Sequence, residues 1–452
     1  MPDIPACFKA YDIRGRVPED LDADLARRTG LAFAVRTGAR RVCVGRDVRT
    51  SSEDLCAALA AGLNAGGADV LDIGLCGTEQ VYFTTFARGL DGGIMVTASH
   101  NPLGYNGLKL VREGARPVSG DTGLHEIGAL AASGDFPEAA RTGTTRREST
   151  ADDFAAYLLD YVDPGALKPL KVVVNAGNGC AGPMIDLLEP HLPFELVKVL
   201  HEPDGAFPHG IPNPLLPENR AATADAVRAH GADVGLAWDG DFDRCFFFDE
   251  TGAFIEGYYL VGLLARAALR REPGAAIVHD PRLTWNTIEV VEAAGGRPLV
   301  NKTGHAFIKE RMRAEDAVYG GEMSAHHYFR DFAYCDSGMI PWLLVMQEMS
   351  VSGRALSALV GDMQAAYPAS GEINRRIDDP RAVLAAAEAR YAPGAVAVDH
   401  VDGLSVDHEA WRFNLRMSNT EPVVRLNVES RGDPALMRAR TEELLALMGG
   451  TP

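Results

Sequence analysis

The sequence lacks an excess of positive charge. Its 44 lysine and arginine residues are outnumbered by 62 aspartate and glutamate residues, which gives a formal net charge of −18. Binding to nucleic acid and adsorption to anionic lipid both require clustered cationic side chains. We therefore expect neither nucleic acid nor a membrane as a partner, and we expect an anionic substrate to need a local basic pocket.

The sequence also has few cysteines and no long apolar run. The seven cysteines are odd in number and scattered, without a metal or redox spacing. The first residues contain no apolar core of signal-peptide length, and no window approaches about 18 uninterrupted apolar residues. We predict reduced thiols and a cytoplasmic protein that does not span a membrane.

Length and composition favour several folded domains. The chain has 452 residues, of which 46% are hydrophobic and 23% charged, close to globular averages. Three stretches, beginning at Arg41, Leu170 and Ala275, each run from a strand-like segment through a loop into a helix and a second strand. This order predicts βαβ units with parallel strands and right-handed crossovers.

Each unit is followed by another strand-like run that ends in a polar loop. The loops are TASHNP (97–102), DGDFDR (239–244) and GEMSAHH (321–327). Open parallel sheets bind ligands outside the carboxyl ends of their strands, so we expect the three loops to face one cleft. The last stretch alternates like antiparallel strands and ends in a helix-like segment, which predicts a smaller domain.

The predicted fold class is α/β, with three similar mixed α/β domains of βαβ type plus a smaller C-terminal α+β domain, arranged around a central cleft. The expected domains cover 1–146, 147–250, 251–366 and 367–452. The first three carry the three polar loops in turn. Whether the protein is a monomer or a dimer stays open.

The segment DGDFDR carries the strongest local signal. Asp239, Asp241 and Asp243 alternate in a short turn, where three carboxylates can converge on a hard cation such as Mg²⁺. A solvated acidic turn is the alternative, and it is less favoured because the three aspartates directly follow an apolar strand. We predict a metal site here.

Ser99 stands beside His100, which invites a hydrolase interpretation. A Ser-His-Asp triad needs a histidine that reaches the serine oxygen, whereas neighbours on a strand point to opposite faces, and no Gly-x-Ser-x-Gly elbow is present. We therefore expect His100 to shape the turn. A phosphorylated Ser99 would add roughly −1.5 to −2 charges and could itself ligate Mg²⁺.

Three cations stand in or beside glycine-containing turns at predicted strand ends, namely Arg14, Lys109 and Arg244. Each alone is typical of a surface cation. Phosphoryl transfer needs compensating positive charge at the reacting oxygens. Together the three are better interpreted as phosphate and hydroxyl partners.

Glu322, Ser324 and His326 alternate, so an extended segment would project all three to one side. Carboxylate, hydroxyl and imidazole suit a polyhydroxylated ligand, and a polar edge strand is the alternative. His305 follows a Thr-Gly turn, where a structural role and a functional role are both open.

The segment RMSNTEP places Arg416, Ser418, Asn419 and Thr420 in a tight turn. Arginine can grip phosphate bidentately, and hydroxyl, amide and N–H groups complete an anion-binding nest. An ordinary hairpin is the less favoured alternative. No Gly-Lys-Ser/Thr sequence occurs there, so the loop does not indicate nucleotide hydrolysis.

Taken in order over essentially the whole chain, these motifs resemble the α-D-phosphohexomutase superfamily. The resemblance implies that Ser99 carries a phosphoryl group and that Mg²⁺ is held by that phosphate and by Asp239, Asp241 and Asp243. The residues implied to surround the reacting groups are Arg14, Lys109 and Arg244, and His305 and His326 are implied to line the sugar site. The residues implied to bind substrate are Tyr11, Glu322, Ser324, His326, Arg416, Ser418, Asn419 and Thr420. Ala325 is a departure, because many members have glycine there.

The implied reaction is an isomerisation of a hexose phosphate. Phosphoserine donates its phosphoryl group, a hexose 1,6-bisphosphate forms, and the other phosphate returns to the serine; the bisphosphate is also the expected activator. Lys109 and His305 are the candidates for moving the hydroxyl proton.

The segments CFKAYDIRG, ASGEIN and WRFNLR are similar to those of bacterial members that interconvert mannose 6-phosphate and mannose 1-phosphate for GDP-mannose synthesis. A protein with dual specificity for glucose and mannose phosphates is the close alternative. A metal-dependent sugar phosphatase and a catalytically silent sugar-phosphate-binding protein are more distant ones.

Overall fold

The structure is a computed structural model that describes residues 4–417 and 423–450. Two compact units are formed by separate parts of the chain. The first runs to Phe254 and includes Asp331–Gly353, and the second comprises Ile255–Arg330 and the chain from Arg354 onward. None of the helices in the described part of the chain is long and apolar enough to cross a lipid bilayer.

The first unit begins with a seven-stranded sheet. Its strands are β1 (Ile13–Arg16), β2 (Arg41–Arg46), β3 (Asp69–Leu75), β4 (Gly92–Val96), β5 (Tyr105–Arg112), β6 (Arg116–Pro117) and β7 (Thr145–Arg147). They lie in the order β1-β5-β4-β2-β3-β7, with β6 beside β5. The helices of this region are α1 (Ala23–Thr37), α2 (Ser52–Ala65), α3 (Thr78–Ala87), α4 (Leu124–Ser133) and α5 (Ala151–Leu159).

Local sequence explains the ends of α1. Asp22 caps its start, because the Asp22 side chain accepts a hydrogen bond from the N–H of Leu25. Gly38 ends the helix with φ +69°, a left-handed conformation that glycine adopts without a steric penalty. The buried face of α1, which includes Phe33, packs into the same apolar core as Val44 of β2.

The second sheet of the first unit repeats this plan. Its elements are β8 (Lys171–Asn175), α6 (Ala181–Leu188), β9 (Glu195–Val199), α7 (Ala221–His230), β10 (Val234–Trp238), β11 (Cys245–Phe248) and β12 (Phe254–Ile255). The strand order is β12-β11-β10-β8-β9. Both β10 and β11 are buried along their whole length, as expected for strands covered on both faces.

A third sheet of the same type belongs to the second unit. Its elements are α8 (Gly257–Arg271), β13 (Ala276–His279), α9 (Trp285–Ala293), β14 (Arg297–Val300), α10 (His305–Glu315), β15 (Tyr319–Gly321) and β16 (His327–Phe329). These strands lie in the order β14-β13-β15-β16.

The chain then returns to the first unit with β17 (Cys335–Asp336) and α11 (Met339–Ser352). The buried carboxylate of Glu79 caps α11, because it accepts the N–H groups of Gly338 at 3.2 Å and Met339 at 3.0 Å. Trp342 of α11 packs edge-on against Trp238, with ring centroids 6.3 Å apart. The returning segment is therefore anchored by both a polar cap and an aromatic contact.

The last sheet is antiparallel throughout and belongs to the second unit. The elements are α12 (Leu356–Ala366), β18 (Ile373–Arg376), α13 (Pro380–Tyr391), β19 (Ala397–Asp399), β20 (Leu404–Asp407), β21 (Trp411–Met417), β22 (Val423–Ser430) and α14 (Pro434–Met448). The strand order is β18-β22-β21-β20-β19. Alternate residues of β21 and β22, including Phe413 and Val428, pack with Leu444 of α14 in one core.

The first three sheets share one topology. In each, the first strand of the repeat lies between two parallel neighbours: β2 between β3 and β4, β8 between β9 and β10, and β13 between β14 and β15. The third strand then pairs with an antiparallel return strand. The predicted class of three similar α/β domains plus a smaller α+β domain is confirmed. The three polar loops are the connections into the return strands.

Candidate active site

Ser99 lies in the loop that joins β4 to β5. Its φ is +47°, in the left-handed region that residues other than glycine rarely adopt. The N–H of Ser99 donates to Thr97 Oγ1 at 2.8 Å. The Ser99 hydroxyl donates to Asp239 Oδ2 at 2.8 Å. The turn therefore brings a buried hydroxyl to the first aspartate of the DGDFDR segment.

The aspartates of that segment converge. Asp239, Asp241 and Asp243 follow β10 in a turn where Phe242 also has φ +47°. Each aspartate offers a carboxylate oxygen, and the three atoms lie within 4.8 Å of one another. All three residues are buried. This cluster of hard oxygen donors is able to bind a metal ion.

Lys109 of β5 contacts two of these carboxylates. Its Nζ lies 2.7 Å from Asp241 Oδ2 and 2.5 Å from Asp243 Oδ2. Burial opposes the charged form of Lys109, but the two carboxylates outweigh it and raise the pKa of the lysine above its ordinary value. Lys109 therefore stays charged at neutral pH and balances part of the negative charge of the aspartates.

The two carboxyl groups respond differently to this lysine. Burial favours the neutral acid at Asp241, but the ammonium of Lys109 outweighs it and lowers the pKa of Asp241. At Asp243, burial and the nearby charge of Asp241 raise the pKa. Lys109 therefore stabilises the ionised form of Asp241 more than that of Asp243.

One oxygen of Asp241 is suited to a further cation. Asp241 Oδ2 accepts hydrogen bonds from Lys109, from Thr78 Oγ1 at 2.5 Å and from Thr97 Oγ1 at 3.3 Å. Its Oδ1 is buried and has no hydrogen-bond partner. Because a buried polar atom without a partner is costly, the residues present fit a metal ion at this oxygen.

Arg244 and His100 meet at Ser99. Arg244 Nη2 donates to Asp239 Oδ2 at 2.7 Å, to Ser99 Oγ at 3.4 Å and to His100 Nδ1. His100 Nδ1 also lies 3.0 Å from Ser99 Oγ. The expectation that Ser99 and His100 point to opposite faces is wrong, because Ser99 lies in a turn and not on a strand.

The contact does not make His100 a strong base. Burial, followed by the charge of Arg244, lowers the pKa of His100 well below its ordinary value. The neutral ring uses Nδ1 to accept the guanidinium N–H of Arg244. His100 is therefore suited to orient Arg244 and the turn around Ser99.

Arg14 lies on β1, opposite Gly107 of β5. Its Nε donates to Asp12 Oδ2 at 2.8 Å, and its Nη1 donates to the carbonyl of Thr97 at 2.8 Å. Tyr11 lies in the bend before β1 and is partly exposed. Arg14 is therefore tied to the loop that follows β4.

In the second unit, Glu322, Ser324 and His326 belong to the turn between β15 and β16. Ala325 has φ +69°, so the segment is not extended, and the prediction that strand alternation aligns the three side chains is wrong. The turn itself keeps them close, with His326 Nδ1 3.4 Å from Ser324 Oγ and 3.6 Å from Glu322 Oε2. Ala325 adopts the left-handed conformation that glycine adopts most easily.

Glu322 is buried and held by neighbours. Its Oε1 accepts the N–H of Gly304 at 3.0 Å, and its Oε2 accepts the hydroxyl of Tyr328 at 2.5 Å. Burial raises the pKa of Glu322. Arg282, which the sequence analysis missed, places Nη2 3.9 Å from Glu322 Oε1 and 3.4 Å from Ser324 Oγ. A buried arginine therefore belongs to this polar turn.

A repeated sequence signal could have found Arg282. Arg282 pairs with Asp280, with Nη2 and Oδ2 2.8 Å apart, and Asp280 Oδ1 accepts the N–H of Arg282 at 3.0 Å. The same turn follows β2, where Asp47 Oδ1 accepts the N–H of Arg49 at 2.9 Å. Alignment of the repeats at their first strands reveals Asp-x-Arg in both loops.

Arg416 lies near the end of β21. Its Nη1 donates to Thr303 Oγ1 at 2.8 Å and lies 3.8 Å from Asp402 Oδ2. His305 begins α10, two residues after Thr303. The structure thus brings Arg416 to the loop before α10. The other predicted members of this phosphate-binding turn, Ser418, Asn419 and Thr420, lie outside the described residues.

Models of one protein family match four successive parts of the chain. The phosphoglucomutase/phosphomannomutase α/β/α domains I, II and III match residues 5–138, 152–252 and 256–367, and the C-terminal domain matches residues 372–446. The matches follow one another in the order of the four sheets.

Individual relatives agree with these models. A phosphomannomutase of Salmonella montevideo is 62% identical over 450 residues, 98% of each chain. A protein of Xanthomonas campestris named "Phosphohexose mutases" is 61% identical over 447 residues, 99% of this chain and 100% of the relative. A phosphoglucomutase/phosphomannomutase family protein from Burkholderia thailandensis has a crystal structure with 35% identity and a TM-score of 0.87, covering 100% of this chain and 99% of the other. The predicted resemblance is confirmed, and the chain belongs to the phosphoglucomutase/phosphomannomutase family of phosphohexomutase enzymes.

Proposed function

We propose that the protein interconverts mannose 6-phosphate and mannose 1-phosphate, with Ser99 as the phosphoryl carrier. The observation that carries this proposal is the 2.8 Å contact of the Ser99 hydroxyl with Asp239 in a buried cluster of three aspartates. Relatives between 54% and 62% identical over nearly the whole chain are named phosphomannomutases, which supports mannose phosphate as substrate. The product would supply GDP-mannose synthesis.

The proposal includes Mg²⁺ held by Asp239, Asp241 and Asp243, with a phosphate on Ser99 as a further ligand. The buried Oδ1 of Asp241, which has no hydrogen-bond partner, supports this ligand set. When bound, the ion would offset the negative charge of the phosphoryl oxygens. Hexose 1,6-bisphosphate is the proposed activator, because it can phosphorylate a dephosphorylated Ser99.

The charged and proton-transferring side chains have separate proposed tasks. Arg14, Lys109 and Arg244 offset the charge of the transferred group. The raised pKa of Lys109 makes it a hydrogen-bond donor rather than a base at neutral pH. We therefore favour His305 over Lys109 for accepting the proton of the sugar hydroxyl, because an imidazole nitrogen can take up a proton and return it.

Substrate recognition is assigned, as a proposal, to a second group of residues. Sugar hydroxyls are bound by Tyr11, Glu322, Ser324 and His326. The phosphate that is not transferred is bound by Arg416, Ser418, Asn419 and Thr420. The buried guanidinium of Arg282, 3.4 Å from Ser324 Oγ, supports an anionic or polyhydroxylated ligand at this turn.

Two further parts of the proposal concern organisation and location. The domains 1–146, 147–250, 251–366 and 367–452 are retained as the proposed division of the sequence. A cytoplasmic location is supported by seven cysteines that are all unpaired.

A coupled assay that compares mannose 1-phosphate with glucose 1-phosphate tests this function. Both sugars are supplied with Mg²⁺ and a hexose 1,6-bisphosphate, and kcat/KM is measured for each. We expect kcat/KM to be at least about tenfold higher for mannose 1-phosphate, since buried polar groups discriminate strongly at a sugar hydroxyl.

The other outcomes distinguish the alternatives. Equal efficiencies would establish dual specificity, an alternative that the broader name of the Xanthomonas relative favours. Steady release of inorganic phosphate without isomerisation would identify a phosphatase, because a mutase conserves phosphate.

A second prediction concerns Gly77, which precedes α3 and packs against the aspartate turn. A Cβ at this position would lie 2.2–2.5 Å from three atoms of the buried Phe242 ring. We expect Gly77→Ala to displace Phe242 and the neighbouring carboxylates, and to lower stability by about 1–3 kcal/mol and kcat by about tenfold. Steady-state kinetics and thermal denaturation measure both effects.

Gly361→Ala is the matched control, because a Cβ there meets nothing within 4 Å and the residue lies in α12. We expect this variant to keep full activity and to gain about 0.5–1 kcal/mol of stability from helix propensity. An unchanged kcat in Gly77→Ala would contradict the steric argument.

A further inference from the structure

Residues 47–52 (DVRTSS) form the loop after β2 and the first residue of α2. They have no part in the proposed chemistry but contain two buried charges. Asp47 and Arg49 are 1% and 5% exposed. They form an ion pair, with Arg49 Nε and Asp47 Oδ2 3.5 Å apart. Burial of such an ion pair is costly unless further hydrogen bonds satisfy both charges. The other hydrogen bonds of Arg49 and Asp47 therefore indicate what the pair does in the structure.

Arg49 donates its hydrogen bonds to backbone carbonyls of the loop that contains Ser99. Nη2 donates to the carbonyl of Ser99 at 2.9 Å and to that of Asn101 at 2.5 Å. Nη1 donates to the carbonyl of Pro102 at 3.0 Å and to that of Tyr105 at 3.1 Å. One guanidinium therefore gathers four carbonyl groups from a single turn.

The turn needs such support because its backbone is unusual. A left-handed φ at a residue other than glycine costs about 1–3 kcal/mol and persists only where the surroundings fix it. Ser99 has φ +47°, and its carbonyl is one of the four that Arg49 binds. The planar five-donor fork of arginine can satisfy several carbonyls at once, which the ammonium of lysine cannot do in the same geometry.

The loop around Arg49 is itself fixed. Asp47 accepts the hydroxyl of Ser52 at 2.5 Å and the N–H of Ala98 at 3.4 Å, so the same carboxylate contacts both loops. The ring of Phe207 covers Arg49, with 5.6 Å between Cζ and the ring centroid. Few solvent molecules can therefore compete for the guanidinium.

We propose that Arg49 is a positioning residue that holds the Ser99 turn so that the serine hydroxyl faces the aspartate cluster. The inference rests on the proposed role of Ser99 as phosphoryl carrier. Arg49 acts through the backbone and contacts no reacting atom, so its loss changes the rate of phosphoryl transfer and leaves sugar binding intact.

Arg49→Lys is the principal test, because lysine keeps the charge opposite Asp47. We expect kcat to fall by about tenfold or more, while KM for mannose 1-phosphate stays within about twofold. The rate at which hexose 1,6-bisphosphate phosphorylates Ser99, followed by intact mass, falls by the same factor. In Arg49→Ala, methylguanidinium at millimolar concentration raises kcat several-fold above that of the variant alone, and methylammonium does not.

Leu59→Ala is the control, since Leu59 of α2 is fully buried in the apolar core that also contains Phe33 and Val44, and it belongs to no part of the site. It destabilises the first unit and leaves kcat unchanged. If Arg49→Lys keeps normal kcat, or if it and Leu59→Ala lose kcat equally at equal loss of Tm, the proposal is overturned. Absence of rescue in folded Arg49→Ala also overturns it.

Ser99→Ala separates this inference from the proposed function. An active Ser99→Ala variant overturns the phosphoryl-carrier role and the positioning role with it. An inactive Ser99→Ala variant together with a normal Arg49→Lys variant overturns only the role of Arg49.

Discussion

Replacement of Ser99 by alanine is expected to lower mutase kcat by about 10³-fold or more, because the variant lacks the oxygen that accepts and returns the phosphoryl group. The lost hydroxyl is the group that contacts Asp239 at 2.8 Å and Arg244 at 3.4 Å. Binding of mannose 1-phosphate should persist, since the residues proposed to bind the sugar are unchanged. Coupled kinetics measure kcat, and calorimetric titration measures binding of mannose 1-phosphate. Intact mass after incubation with bisphosphate measures whether the protein has accepted a phosphoryl group.

Ser133→Ala is a matched control in the same unit. Ser133 ends α4, and its hydroxyl donates to the carbonyl of Leu130 at 3.0 Å, away from the aspartate cluster. This variant should keep normal kcat and accept one phosphoryl group. A near-normal rate in Ser99→Ala would falsify the phosphoserine proposal.

The second large effect is expected at Asp241. Asp241→Asn keeps the size of the side chain but removes the charge that Lys109 and the proposed Mg²⁺ share. We expect the Mg²⁺ concentration for half-maximal activity to rise by at least about tenfold and kcat at saturating Mg²⁺ to fall by about 10²-fold. A titration of activity with Mg²⁺ after chelator treatment gives both values.

Asp69→Asn tests whether the loss of any carboxylate in this unit has the same result. Asp69 lies at the start of β3 and pairs with Arg141 at 2.7 Å on the protein surface. We expect its Mg²⁺ dependence and kcat to match the unsubstituted enzyme, since exposed ion pairs contribute little. A normal Mg²⁺ requirement in Asp241→Asn would remove Asp241 from the ligand set.

The order of the elements was predictable because it depends on local patterns. The β-branched runs that became β2, β8 and β13 were each followed by a loop, a helix and a second strand, and the structure has these elements in that order. The alternation in Trp411–Met417 and Val423–Ser430 likewise indicated the antiparallel C-terminal sheet. The spacing of hydrophobic residues alone did not predict the antiparallel return strand of each repeat.

Side-chain directions in turns were less predictable. Sequence spacing alone predicted Ser99 and His100 as strand neighbours and residues 322–326 as an extended segment. The positive φ values of Ser99 and Ala325 place both segments in turns, so both predictions of side-chain direction were wrong. Such φ values depend on tertiary support rather than on residue type. The catalytic and binding roles of these residues remain predictions.

Some contacts across long sequence separations were not predictable from the sequence. Thr78 reaches Asp241 over 163 positions, and Arg49 reaches the carbonyl of Ser99 over 50. Neither contact leaves a local period or spacing in the sequence. Comparison of the repeats with one another recovers the Asp-x-Arg loops, because a shared fold places the same short turn at the same point.

The return of Asp331–Gly353 to the first unit has a practical consequence for chimeric enzymes. An exchange that transfers the first two sheets but leaves this segment behind would place a foreign segment against the Trp238 ring and the Glu79 carboxyl group. Any shift of that segment would take the donors of Glu79 out of hydrogen-bond reach. A buried carboxyl group without donors costs about 1–3 kcal/mol or more. Recombination between members of the family should therefore move both stretches as one inherited block.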